Sequence, residues 1–150
     1  MTGDDAGSGG RLLGLDYGER TVGVAVSDPL GLGATGVEVI RRKKPSKLRR
    51  TLSRIGELIE HYNIGGLVVG LPLNIDGTEG IRCERTKEFG RALEQRFLLP
   101  VVYWDERLTT VEAYEIMEEA GTDRSKWDSC VDEVAAMVIL QDYLDNGRAG

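Results

Sequence analysis

Two apolar runs joined through glycine constrain this chain most. Leu12–Leu15 leads into Asp16, the turn Tyr17-Gly18-Glu19-Arg20 follows, and a second run, Val22–Ser27, ends at Asp28. Short apolar runs on either side of a turn predict a β-hairpin, here with a carboxylate at the end of its first strand. The second run alternates. Val22, Val24 and Val26 share one face, and Gly23, Ala25 and Ser27 share the other, as a period of two requires. A face of small side chains either lets a helix pack closely or leaves space for something to approach the sheet. After the turn Asp28-Pro29-Leu30-Gly31, the segment Gly33–Ile40 reads as a third strand. The chain therefore opens as an antiparallel meander. Gly31–Gly36 matches G-x-G-x-x-G, but a dinucleotide site needs the last glycine to open a helix. A β-type Val37-Glu38-Val39-Ile40 follows instead.

The grammar then changes. From Pro45-Ser46 to about Tyr62, the residues Leu48, Leu52, Ile55, Leu58, Ile59 and Tyr62 form one helical stripe. Asn63–Gly66 stops that helix. Leu67–Leu71 is a continuous apolar run, as in a strand buried on both faces. Pro72 breaks it, and Asn74–Gly80 forms a polar loop beyond its C-terminal end. Arg82–Phe97 reads as a second helix burying Phe89, Ala92, Leu93 and Phe97, and Pro100–Trp104 as a fifth strand that ends in Asp105-Glu106-Arg107. Strand, helix, strand, helix, strand predicts parallel crossovers. Thr109–Ala120 is a third helix, with Thr109 and Glu112 as a capping box and Ala113, Ile116, Met117 and Ala120 facing inward. Gly121–Ser129 is a polar connection, and Val131–Leu144 is a final helix with an almost wholly apolar middle. One domain over residues 11–146 is expected, between a disordered tail at 1–10 and a short one at 147–150.

Composition removes several classes. No apolar run reaches the roughly 18 residues of a membrane span. The polar, glycine-rich start lacks the pattern of a signal peptide, so a cytoplasmic protein is expected. Cys83 and Cys130 are far apart, which gives neither a Cys-rich zinc site nor a disulfide framework; two reduced thiols are expected. His61, the one histidine, lies off the apolar stripe and has no second nitrogen ligand to make a metal site. The net charge of −6 is unevenly spread. Between Arg41 and Arg54 there are eight basic residues and no acidic one, leaving 11 basic against 25 acidic elsewhere. Such a patch can contact phosphate locally, or it can be a solvated helix face.

Three acidic positions stand out by placement: Asp16 ending the first strand, Asp105-Glu106 ending the fifth, and Asp132 opening the final helix. If that helix crosses the sheet near the first strand, they converge. Each also has a local explanation. Asp16 could start a β-turn, Glu106 could pair with Arg107, and Asp132 could complement the helix dipole. Convergent carboxylates suit phosphodiester hydrolysis, because divalent cations can both activate water and stabilise the leaving oxygen. Magnesium prefers oxygen ligands.

The segments Gly14–Arg20, Gly23–Asp28, Val69–Asn74, Asp76–Glu79, Trp104–Thr110 and Val131–Ala136 together resemble the YqgF/RuvX family. These are pre-16S rRNA nucleases, also called Holliday-junction-resolvase-like proteins. The resemblance runs from about Arg11 to Asp145. It implies an α/β, RNase H-like fold: a five-stranded mixed sheet, antiparallel over its first three strands, with helices on both faces. It implies metal-binding and catalytic acids at Asp16, Glu106 and Asp132, with Asp105 as a further candidate, and Mg²⁺ or Mn²⁺ as the cofactor. The loop around Asn74 and Arg107 look like substrate-contacting parts, joined by Arg20 and by Lys43, Lys44, Lys47 and Arg50 of the basic stretch. One departure concerns the approach to Asp132. Only Arg124 and Lys126 are basic there, and Asp105–Asp145 holds twelve acidic and three basic residues.

The expected function is a metal-dependent endonuclease maturing the 5′ end of 16S rRNA precursor, acting on nucleic acid as a monomer or homodimer. Holliday-junction resolution is the same chemistry on branched DNA, but it needs a broader basic surface, since phosphate contacts dominate such affinity. An actin-like or heat-shock-type ATPase shares a similar opening hairpin but needs a duplicated second domain, which 150 residues cannot supply. A non-catalytic nucleic-acid-binding regulator on the same fold would be expected to have lost one of the carboxylates, and none is missing.

Overall fold

In the computed structural model, residues 10–42, 48–74, 76–106, 109–121 and 127–147 are described, without the side chains of 109–112, 114 and 127–130. The expected tails, apart from Gly10 and Gly147, lie outside these residues. So do Pro45 and Ser46 and the linking residues 122–126. The Thr109–Glu112 capping box lies outside the described side chains.

The meander forms as its alternation requires. Strands β1 (Arg11–Tyr17), β2 (Thr21–Ser27) and β3 (Ala34–Arg41) are antiparallel neighbours. Helix α1 (Arg49–Tyr62) then returns the chain to β4 (Ile64–Leu71), which pairs with β1 in parallel. Helix α2 (Ile81–Phe97) leads to β5 (Val101–Asp105), parallel to β4. The sheet order is β3-β2-β1-β4-β5. Two more helices follow, α3 (Thr109–Glu119) and α4 (Trp127–Asp142), and a π-helical turn at Tyr143–Gly147.

Alternation sorts the residues into two cores. Leu13, Leu15, Val22, Val24, Val26, Leu67 and Val69 point to one face, where Ile55 and Leu58 of α1 and Phe89 and Leu93 of α2 meet them. Leu12, Ala25 and Val68 point to the other, against Ala136, Ile139 and Leu140 of α4. Helices thus cover both faces, as expected of an RNase H-like fold.

The face Gly23, Ala25, Ser27 is not open space. Helix α4 lies on it so closely that a Cβ at Gly23 would overlap the carbonyl of Asp132. A Cβ at Gly14 would lie 2.7 Å from Leu140 Cβ, and one at Gly36 2.7 Å from the Glu133 side chain. The small residues are where the helix backbone comes nearest the sheet.

Some boundaries shift. β4 begins at Ile64, because Asn63 takes the left-handed conformation (φ 55°) and reverses the chain in one residue. Gly65 and Gly66 therefore belong to the strand rather than to a helix stop. Helix α4 starts four residues before the expected Val131, since polar residues that read as a connection form its first turn. On α3, Ala113 and Met117 are buried but Ile116 and Ala120 are exposed. The helix packs against α4 on a narrow stripe.

The glycine packing gives a direct test. Gly23→Ala should lower stability by about 1–3 kcal/mol, the usual cost of overpacking, and the loss would appear as a reduced urea midpoint. Gly33→Ala, whose Cβ would meet only Asp28 Oδ2 at 3.6 Å and Gln141 Oε1 at 3.7 Å, should stay within about 0.5 kcal/mol of the parent.

Candidate active site

Asp16 sits on the α4 face of β1, directly opposite Gly23 of β2. The parallel register, Leu15 beside Val69, brings Gly70 of β4 alongside it on the other flank. Asp16 therefore stands between two residues without side chains, and each glycine is covered by another acidic residue. Over Gly70 lies Glu106, whose carboxylate Oε2 would be 2.9 Å from a Cβ placed there. Over Gly23 lies the backbone of Asp132. Glu106 follows the last residue of β5, and its N–H donates to the Leu71 carbonyl at 3.1 Å. That bond extends the ladder by one step and folds the side chain back over the sheet.

Asp16 and Glu106 are close enough for each to act on the other's carboxyl. Burial pushes the Glu106 carboxyl from its ordinary 4.5 up to about 9, and the neighbouring Asp16 charge adds to the rise. Burial likewise raises Asp16 from 3.8 to about 6. The Glu106 side chain opposes that rise, and the Asp132 charge adds to it. Both carboxyls are raised because burial and their closeness make it costly for the two to ionise together. Glu106 Oε1 is buried with no hydrogen-bond partner.

Asp132 is held to one side. The Thr21 hydroxyl, at the start of β2, donates to its Oδ2 at 2.6 Å. Asp132 lies in the second turn of α4 rather than the first, because the helix begins at Trp127; the helix-dipole explanation for it lapses. Among the described residues no three acidic, histidine or cysteine side chains gather closely enough to hold one ion. The close pair is Asp16 and Glu106, with Asp132 near enough for its charge to be felt. This donor set fits a divalent cation. Its atoms are all carboxylate oxygens, which suit Mg²⁺ and Mn²⁺, and one is a buried oxygen lacking a donor.

The other expected residues are more dispersed. Asp105 ends β5 and is exposed, and its charge reaches Glu106. Arg20, Arg50 and Asn74 are exposed. The Asn74 amide donates to Thr78 Oγ1 at 2.9 Å, and Asp76 accepts from the same hydroxyl at 2.6 Å, so the loop after β4 braces itself. Arg107, Lys43, Lys44 and Lys47 lie outside the described residues.

The basic stretch shrinks as a phosphate-binding patch. Arg42 is buried, and its guanidinium donates to the carbonyls of Gly18 and Glu19 at 2.6 Å each, fastening the β1–β2 turn. Arg54 is engaged by Glu38 at 2.6 Å and Glu57 at 2.8 Å. Cys83 is a buried free thiol, 3.4 Å from the Pro72 carbonyl; the Cys130 side chain lies outside the described set.

Two residues at the site escape sequence reasoning. Thr21 reaches Asp132 across 111 positions, and nothing local signals it. Arg82 is the cation whose charge opposes the rise of both Asp16 and Glu106. It did leave a signal, since it lies in the first turn of α2, where the helix dipole disfavours a positive charge.

A sequence model described as "RuvX: Holliday junction resolvase" matches residues 10–146. The chain belongs to the RuvX family. A relative from Agathobacter rectalis described as "Putative pre-16S rRNA nuclease" is 58% identical over 135 residues, covering 90% of this chain and 94% of the relative. Another from Lachnospira eligens, described in the same words, is 50% identical over 136 residues, covering 91% and 97%. Among solved structures, Thermus thermophilus RuvC in complex with a Holliday junction substrate superposes with a TM-score of 0.58 at 14% identity, covering 93% of this chain and 96% of that one. The yeast mitochondrial Holliday junction resolvase gives 0.53 at 13%, covering 91% and 78%. At such identities these two show the shared fold.

The buried pair of this RuvX-family chain makes stability depend on pH. An acid whose pKa is raised by folding favours the folded state below its unfolded pKa and loses that advantage as pH rises through the folded one. Stability without metal should therefore fall between about pH 4 and pH 9, the span set by Asp16 and Glu106. Glu106→Gln should flatten the upper part of that fall, as read from urea midpoints across the range. An unchanged slope would contradict the buried pair.

Proposed function

We propose that this chain is a metal-dependent endonuclease that matures the 5′ end of the 16S rRNA precursor in the cytoplasm. The observation that carries the reading is the Asp16–Glu106 pair at the C-terminal edge of the sheet, where α/β folds gather ligands. The printed descriptions of the relatives from Agathobacter rectalis and Lachnospira eligens point the same way. Asp16 and Glu106 would hold Mg²⁺ or Mn²⁺, with Asp132 as the further acid and Asp105 beside Glu106. A cation bound there supplies an activated water and neutralises charge on the phosphate.

The protein's own residues do the positioning. The ladder bond to Leu71 aims Glu106 at Asp16. Thr21 fixes the Asp132 carboxylate, so it needs little reorganisation when a ligand arrives. The acidic stretch Asp105–Asp145 repels phosphate, so the exposed Arg20, Arg50 and Asn74 are the candidates to meet the strand, and Lys43, Lys44, Lys47 and Arg107 are further candidates by sequence alone. With Arg42 and Arg54 engaged within the fold, the basic stretch offers less to phosphate than its sequence suggests. That favours an RNA strand over a four-way DNA junction, whose grip needs many phosphate contacts.

The test is cleavage of labelled precursor rRNA and of a four-way junction side by side, with Mg²⁺ or Mn²⁺. The parent should cut the RNA. Asp16→Asn and Glu106→Gln should each slow cutting by about 100-fold or more, beyond what the loss of an outer-sphere partner costs. Equal cutting by Asp16→Asn would overturn the mechanism, and preferential cutting of the junction would overturn the substrate.

A further inference from the structure

A cavity of about 560 Å³ opens beside the β1–β2 turn, on the face of the sheet opposite Asp132. Its apolar wall is made by Tyr17, Leu48 and Phe89, and the first turns of α2 supply Arg82 and Arg85. The wall is preformed. The Tyr17 and Phe89 rings stack with centroids 4.3 Å apart and 18° between planes. The Arg42 guanidinium sits 4.8 Å from the Tyr17 ring centroid and also holds the turn carbonyls. Among the described residues neither Arg82 nor Arg85 forms a salt bridge. Arg82 faces two ways, lining this cavity and standing close enough to Asp16 and Glu106 to act on both.

We propose that the cavity is a subsite for one unpaired nucleotide of the cut strand, with Arg82 gripping the phosphate that leads from it toward the acid pair. The inference rests on the nuclease reading above and adds the form of the substrate. A volume of this size suits a single small ligand, and a double helix is too broad to enter it. Proteins hold unpaired strands by lodging a base in an apolar recess and placing an arginine on the backbone; here Phe89 and Arg42 cover the Tyr17 ring, so a base would lie against the ring edge and Leu48. The rim also carries Glu19 and Glu88, whose charges keep further phosphates away and limit the grip to the one between Arg82 and Arg85. Tyr17 follows Asp16 directly in β1, so the cavity and the acids flank the same strand end from opposite faces of the sheet, and a strand passing Arg82 rounds that end to reach them.

The test is binding of a fluorescent six-nucleotide single-stranded RNA, and of the same sequence as a duplex, to the full chain carrying Asp16→Asn so that nothing is cut. Titrations run at several salt concentrations. Adding Arg82→Ala should weaken single-strand binding about tenfold and lower the salt slope by about one, as loss of one phosphate contact does. Arg82→Lys should restore most of the slope. Arg91→Ala, exposed on the same helix but away from the cavity, should change nothing. The duplex should bind more weakly and ignore Arg82. Thermal melts confirm that each variant is folded, and an altered salt slope is not something a merely structural arginine produces. The proposal is overturned if Arg82→Ala keeps the parent affinity and slope, if the duplex shows the same Arg82 dependence, or if no oligonucleotide binds. Cleavage assays on the unmutated chain separate the two readings. Failure to cut with normal Arg82-dependent binding sinks only the nuclease reading, and normal cutting with Arg82-independent binding sinks only the subsite.

Discussion

The rest of the structure depends on how closely α4 lies on the sheet. Gly14, Gly23, Gly36 and Gly70 form a track under it, and a methyl group at any of them would run into α4 or the acidic side chains it faces. Close packing of this kind contributes dispersion contacts that a larger side chain would prop apart. It also brings an acidic residue from the end of the chain to one at its start. Asp132 comes over Gly23, Glu106 over Gly70, and Asp16 stands between them. The same glycines that dock the helix make room for the carboxylates.

That arrangement is expensive without a ligand. Two carboxyls in a buried place repel each other and lose hydration; here both are pushed up from their ordinary values, and one oxygen of Glu106 is left without a partner. A fold selected for stability alone would place an apolar pair there. The pair stands at the strand ends, where α/β folds gather ligands, and the cavity lined by Tyr17 and Phe89 lies across the same strand end on the other face. Arg82 joins the two regions electrostatically, and the self-braced loop after β4 leads into the helix that carries it.

Much of this was legible before any coordinates. The period of two in Val22–Ser27 and the apolar run before Pro72 located strands, and strand ends located Asp16 and Glu106. The apolar middle of the last helix placed Asp132 on something buried. Less was legible wherever long-range packing decides. Gly23, Ala25 and Ser27 could have meant a helix or a vacant face, and only the third dimension says helix. Arg42 looked like one more cation in a basic run, yet it is buried beneath a turn some twenty residues earlier. Ile116 looked inward by helical spacing, but among the described side chains of α3 it is Ala113 and Met117 that are buried, and Ile116 is exposed. The bond from Thr21 to Asp132 had no local trace at all.

The central claim is that Asp16 and Glu106 form one cation site over Gly70. A crystal of the full chain grown with Mn²⁺ and measured at the manganese absorption edge tests it directly. The account predicts an anomalous peak bonded to carboxylate oxygens of both residues, and the loss of that peak in Glu106→Gln. A peak bound to neither, or a Glu106 side chain turned away from Asp16 with the site empty, would contradict it.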